Sequence, residues 1–150
     1  MNTVTDRTLR LERIIRAPVE EVFDAWIVPE KIASWWGPEY VTIPEYSIDA
    51  RPGGAWRTVM LQPTGTKVEV SGVYRLIEKN RRLVFSWAWT QEDGSRGHET
   101  EVTVTFERVG KDTKLTLVQS VFVETGHRDR HEEGWSSAFN RLEQYVANPE

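Results

Sequence analysis

The chain contains no cysteine. A disulfide framework, a thiolate metal site and a cysteine nucleophile are therefore excluded, and the composition suits a reducing compartment, so the cytoplasm is the expected location. No stretch approaches the ~18 consecutive apolar residues that read as a membrane span, and Met1 to Arg10 lack the basic start and apolar run of an export signal. No membrane association is expected. A positive excess is also missing: 19 Lys and Arg stand against 23 Asp and Glu, for a net charge of −4. The basic residues are scattered rather than gathered in a stripe, so nucleic acid is not an expected partner. There is no glycine-rich phosphate loop, no dinucleotide fingerprint and no readable Ser, His and Asp constellation. Internal repeats, low-complexity runs and linkers are absent as well, and 150 residues with 39% hydrophobic content suit one domain with its own core.

What the chain does have is tryptophan, at seven positions. Two of them, Trp35 and Trp36, are adjacent in the segment WWGP at the end of an amphipathic stretch. An indole combines a large apolar area with one N–H that needs a partner once buried, so a cluster of this kind forms an anchor or a pocket wall.

Periodicity gives the elements. Leu9, Leu11 and Ile15 alternate with Arg10, Glu12 and Ile14 and predict a half-buried first strand. Ala17-Pro18 ends it, with Pro18 suited to the first turn of a helix, and Val19, Val22, Phe23, Trp26 and Ile27 follow at helical spacing. Pro29 interrupts that helix, and Glu30 to Trp35 predict a second short one, stopped by Gly37-Pro38. From Tyr40 to Gln119 the period is two, with turn residues between the runs. Strands are predicted at Val41–Ile48, Ala55–Gln62, Lys67–Glu78, Arg82–Thr90, Glu99–Arg108 and Thr113–Phe122. After Thr125-Gly126 the helical period returns, with an apolar face from Trp135 to Val146 and Pro149 just before the end. Strands grouped together and helices segregated from them predict an α+β fold, in which one curved antiparallel sheet wraps the final helix and leaves a cavity.

The segments APVEEVFDAWIVPEKIASWWGP (Ala17–Pro38), GGAWR (Gly53–Arg57), SGVYRLIE (Ser71–Glu78), RLVFSW (Arg82–Trp87), GW (Gly134-Trp135) and FNRLEQYV (Phe139–Val146) carry a family resemblance. The chain resembles the START/Bet v 1-like (SRPBCC) superfamily, and within it the AHSA1-like branch, named for homology to the activator of the Hsp90 ATPase. The resemblance implies a helix-grip fold: a seven-stranded curved antiparallel sheet around a long C-terminal helix, two short helices after the first strand, and a hydrophobic tunnel between sheet and helix. It implies no cofactor.

Alternation puts Trp56, Thr58 and Met60 on one face of a strand and Phe85, Trp87 and Trp89 on one face of another, and both faces are expected to point inward. Trp135 and Phe139, one helical turn apart, are expected to close the floor, and Trp35, Trp36 and Tyr46 to line an entrance. Thr58, Ser71, Ser86 and Gln119 are candidates for the polar contacts that orient a ligand, although a one-residue slip in register inverts each facing. His127 and His131 have the i, i+4 spacing of metal ligands, but with Arg128 and Arg130 around them and no HExxH arrangement, a solvated helix end is the better reading and no metal is expected. His131 also lies one turn ahead of Trp135, where it is a candidate polar group at the tunnel mouth. His98, Glu99 and Glu101 form an acid–base candidate only if buried. Tyr74 reads as packed against a neighbouring strand, and the alternating charges from Arg128 to Glu133 as an exposed helical face.

Three functions are compatible with these residues. The first is a binding protein that holds a hydrophobic, aromatic or lipid-like small molecule without chemistry. The second, implied by the cyclase and aromatase relatives of the superfamily, is an enzyme working in the same tunnel. The third, implied by the name of the branch, is an Hsp90-type chaperone interaction, weakened because the chaperone-activating relatives carry a further N-terminal domain. A homodimer through a sheet edge or through Trp35 and Trp36 stays open.

Overall fold

The computed structural model describes residues 7–120, 122–123 and 125–147. The reading of the first six residues as lacking a signal, the passage of the last strand through Val121 and the closing Pro149 lie outside them. The elements run β1 (Leu9–Ile15), α1 (Val19–Ile27), α2 (Pro29–Trp35), β2 (Thr42–Ile48), β3 (Ala55–Leu61), β4 (Lys67–Glu78), β5 (Arg82–Trp89), β6 (Thr100–Val109), β7 (Asp112–Ser120) and α3 (Thr125–Ala147). The seven strands form one sheet in the order β1-β7-β6-β5-β4-β3-β2, with every neighbouring pair antiparallel. β1 and β2 therefore sit at opposite edges, and α1 and α2 carry the chain across the inner face. α3 lies along that face against β1, α1 and α2. This is the α+β helix-grip arrangement.

The prolines set the helix boundaries. Pro18 is the N-cap of α1 rather than a residue of its first turn: its φ of −61° comes with an extended ψ of 150°, and its carbonyl accepts the N–H groups of Glu21 and Val22. The chain thus leaves β1 still extended, and the helix opens one residue later. Val28, which precedes Pro29, is excluded from the helical region by the proline ring and sits at φ −83°, ψ 119°. It ends α1 and opens α2 at once.

Two irregularities bend the sheet around α3, one in β2 between Thr42 and Glu45 and one in β4 between Tyr74 and Leu76. Pro44 falls in the first of them, on the edge strand, where a missing N–H is tolerated. Gly72 is needed for close approach: a Cβ there would lie 1.8 Å from the Ser86 carbonyl oxygen and 2.7 Å from Trp56 Nε1. The Trp56 indole crosses this glycine to donate to that same carbonyl at 3.2 Å.

The core lies between sheet and helices. β7 buries alternate residues, among them Leu115, Leu117 and Gln119, and α3 buries Trp135, Ala138, Phe139, Leu142 and Val146. Trp26 of α1 stands at the centre, its ring 4.7 Å from Trp35, 5.9 Å from Trp135 and 6.3 Å from Phe139. β1 spends one inward position on Arg13, which donates to Asn140 at 2.7 Å and Glu143 at 3.1 Å and lies over the Phe139 ring. This guanidinium fastens the edge strand to α3.

Candidate functional site

The WWGP segment forms the turn between α2 and β2. Gly37 sits there at φ +83°, and a Cβ on it would come within 2.7 Å of Val41 Cγ2, so glycine is required twice over. The turn is tied to α3 by Arg141, whose Nη1 donates to the carbonyls of Trp36, Gly37, Pro38 and Val41 at 2.9 to 3.3 Å. Ser137 Oγ accepts the Glu39 backbone N–H at 2.8 Å. Burial lowers the Arg141 pKa, in part offset by Glu39.

Between this turn, strands β3 to β5 and the N-terminal half of α3 lies a cavity of about 580 Å³. Trp36, Met60, Val68, Trp87, Trp89 and Trp135 contribute its apolar lining, with Gly134 and Ala138 on the helix side. The exposed residues Tyr40, Arg130 and Glu133 belong to its rim, and His131 and Gln62 add polar groups.

Most of the indole N–H groups hold the surrounding cluster in place, while those of Trp26 and Trp87 are buried without a hydrogen-bond partner. Trp35 donates to the Ala25 carbonyl at 2.8 Å and Trp36 to Thr58 Oγ1 at 3.1 Å. Trp135 donates to Gln119 Oε1 at 2.8 Å, and Gln119 in turn donates to Thr100 Oγ1 at 2.8 Å. Trp89 donates to His131 Nε2 at 3.1 Å. The other ring nitrogen, His131 Nδ1, lies 2.9 Å from the His127 carbonyl oxygen. A carbonyl only accepts, so Nδ1 carries the proton and Nε2 offers the lone pair that Trp89 uses. Burial holds the His131 pKa below the usual imidazole value, and the neighbouring charges of His127 and Arg130 push the same way. Half-buried, neutral and doubly hydrogen-bonded, the ring is held in the wall.

The model of the Activator of Hsp90 ATPase homolog 1-like protein family, AHSA1, matches residues 16–147. The chain belongs to this family. The AHSA1 protein of Silicibacter pomeroyi is 31% identical, with a TM-score of 0.88 over 95% of this chain and 99% of that one. A protein of Chromobacterium violaceum is 26% identical at a TM-score of 0.82, covering 93% of this chain and 96% of its own. One from Nitrosomonas europaea is 25% identical at 0.82, covering 98% of both. No curated protein matches the chain.

In this AHSA1 chain, Trp36, Met60, Trp87, Trp89 and Trp135 come together on the cavity wall. Trp35 and Phe139 are fully buried, each in ring contact with Trp26, and lie off that wall. Trp56, Thr58 and Phe85 face inward at the other end of the sheet, around a void of only about 10 Å³ that Trp26, Trp36 and Tyr74 help to close. The interior is therefore open at one end and filled at the other. Its rings pack edge to face, as Trp36 does on Trp26 and Trp56. Tyr46 lies opposite Thr58 on the edge strand, is 39% exposed and stands outside the cavity lining.

Of the four polar candidates, Thr58 and Gln119 are buried on the inner face. Ser71 and Ser86 have the opposite parity: Ser71 accepts from Arg96, and Ser86 from the Val73 N–H. Glu99 and Glu101 are exposed on the outer face, where Arg96 and Arg75 pair with Glu99 and Arg75 with Glu101. The Arg96 hydrogen bond holds the Glu99 carboxyl below its usual value. His98 is exposed, so these three residues make no buried acid–base group. Tyr74 packs against Phe85 of β5, and burial pushes its phenol pKa up. Among the described residues, no group of three His, Asp or Glu is placed to hold a metal, and no helix is long and apolar enough to cross a membrane.

Sequence reasoning missed Tyr40, Arg130, Glu133, Gly134, Ser137 and Arg141. Helical spacing carried part of the signal, because residues 131, 134 and 138 share a face with Trp135. Arg130 and Glu133 are exposed, as their charge run suggested, and also reach the cavity rim.

Proposed function

We propose that this AHSA1 chain is a cytoplasmic, single-domain binding protein that holds a small aromatic or amphipathic molecule in the cavity between the WWGP turn and α3. The observation that carries this reading is the wall itself: four indoles around about 580 Å³, with His131 and Gln62 beside them. Small-molecule sites typically span ~300–1,000 Å³ and combine apolar walls with a few placed polar groups. Three of the four wall indoles have their N–H groups engaged, whereas Trp87 Nε1 is buried without a hydrogen-bond partner, so the wall offers ring faces and edges together with one spare donor, which suits a flat ligand. A ligand at a hundredfold excess over its Kd stabilises the folded state by about 2.7 kcal/mol. A thermal-shift panel of 2-naphthol, indole and fatty acids is therefore expected to raise the melting temperature with at least the ring compounds. A flat response across the panel would contradict the reading.

A second reading, a cyclase- or aromatase-like enzyme, draws support from the half-buried His131 on the cavity lining. Turnover of a reactive polyketone that disappears in His131→Gln would establish it, whereas unchanged binding without turnover leaves the holding function. The family's name also suggests an interaction with an Hsp90-type chaperone, and a pull-down that recovers no such protein removes that option.

A further inference from the structure

Gly134 is an interior residue of α3. Glycine there costs helix stability relative to alanine, so a physical reason for it is required. Backbone conformation is not the reason, because Gly134 is not among the glycines with positive φ. Close approach is not the reason either: a Cβ would meet only Pro38 Cγ, at 3.7 Å, an ordinary van der Waals contact. Gly72, with a carbonyl 1.8 Å from its Cβ position, shows what a required glycine looks like in this chain. The remaining neighbour is the cavity, whose helix side Gly134 lines together with His131, Trp135 and Ala138, across from Pro38. Side chains on a helix lean toward its N-terminus. Atoms beyond a Cβ at 134 would thus project over the turn that carries Arg130 and His131, into the open volume.

Resting on the binding function proposed above, we infer that residue 134 sets the size of the ligand: glycine is kept so that a fused ring system can lie in the cavity beside this stretch of α3. Alanine takes a little of that room, and a branched side chain projecting over the turn of Arg130 and His131 takes more. The void at the opposite end of the interior, about 10 Å³, is too small to take a displaced ring.

The experiment is calorimetric titration of the wild type, Gly134→Ala and Gly134→Leu with phenol and 2-naphthol, alongside thermal melts. Gly134→Ala is expected to melt about 2–4 °C higher, to bind phenol like the wild type and to bind 2-naphthol roughly 3-fold more weakly. Gly134→Leu is expected to keep its circular dichroism and to lose 2-naphthol affinity by ~10-fold or more. A Leu variant that binds 2-naphthol like the wild type overturns the inference, as does an Ala variant that melts below the wild type. If the Leu variant does not fold, the Ala variant decides: unchanged 2-naphthol affinity overturns the inference. A wild type that binds neither probe instead removes the binding function, and the inference with it.

Discussion

His131 shows how one side chain acquires a role from its partners. Its Nε2 accepts from Trp89 and its Nδ1 faces the His127 carbonyl, so a second proton would set two N–H donors against each other. Burial depresses the folded pKa below the unfolded value of 6.5, so the unfolded chain binds the proton more readily. The neutral ring therefore contributes stability that is present above pH 6.5 and is lost as the pH falls through the folded pKa. Melting temperatures at about pH 7.5 and about pH 5.5 are expected to differ more in the wild type than in His131→Gln. An equal difference in both proteins would show that the ring is not linked to folding. The sequence placed His131 one turn from Trp135 but gave no sign of Trp89, which lies 42 positions earlier.

At the scale of elements, the Arg141 guanidinium joins α3 to the WWGP turn by bonds to five carbonyls, counting Ser34 at 3.4 Å. Arg141→Met keeps an apolar stem and removes every one of these bonds. Charge-assisted bonds to half-buried carbonyls of this kind contribute ~1.5–3 kcal/mol, so urea denaturation is expected to show a loss of about 2 kcal/mol. Ring probes should also bind more weakly, because the turn carries Trp36. Unchanged stability together with unchanged binding would show that the turn holds its shape unaided.

The elements themselves were legible because their periods differ. β7 alternates strictly, and the α1 stripe of Val19, Val22, Phe23 and Trp26 repeats as a helix does. Pro29 and Gly37 marked the breaks through local backbone chemistry alone. Arg141 was not legible, since what it caps depends on where the turn lands against α3. Ser71 and Ser86 misled for another reason: in a strand, one position of parity separates the inner face from the outer.

Across the whole molecule, alternation told which face of each strand turns inward but not how far the interior is filled. Trp56 and Trp87 both point in. Only the packing of Trp26 and Trp36 makes one end a void of about 10 Å³ and leaves about 580 Å³ at the other. That asymmetry places the larger space beside the WWGP turn, where residue 134 sets the size of what it holds. The measurement that tests this account most directly is native mass spectrometry of the protein purified from its own host, before and after denaturation. The account predicts a small-molecule adduct that denaturation removes, and a spectrum of the bare chain mass alone would contradict it.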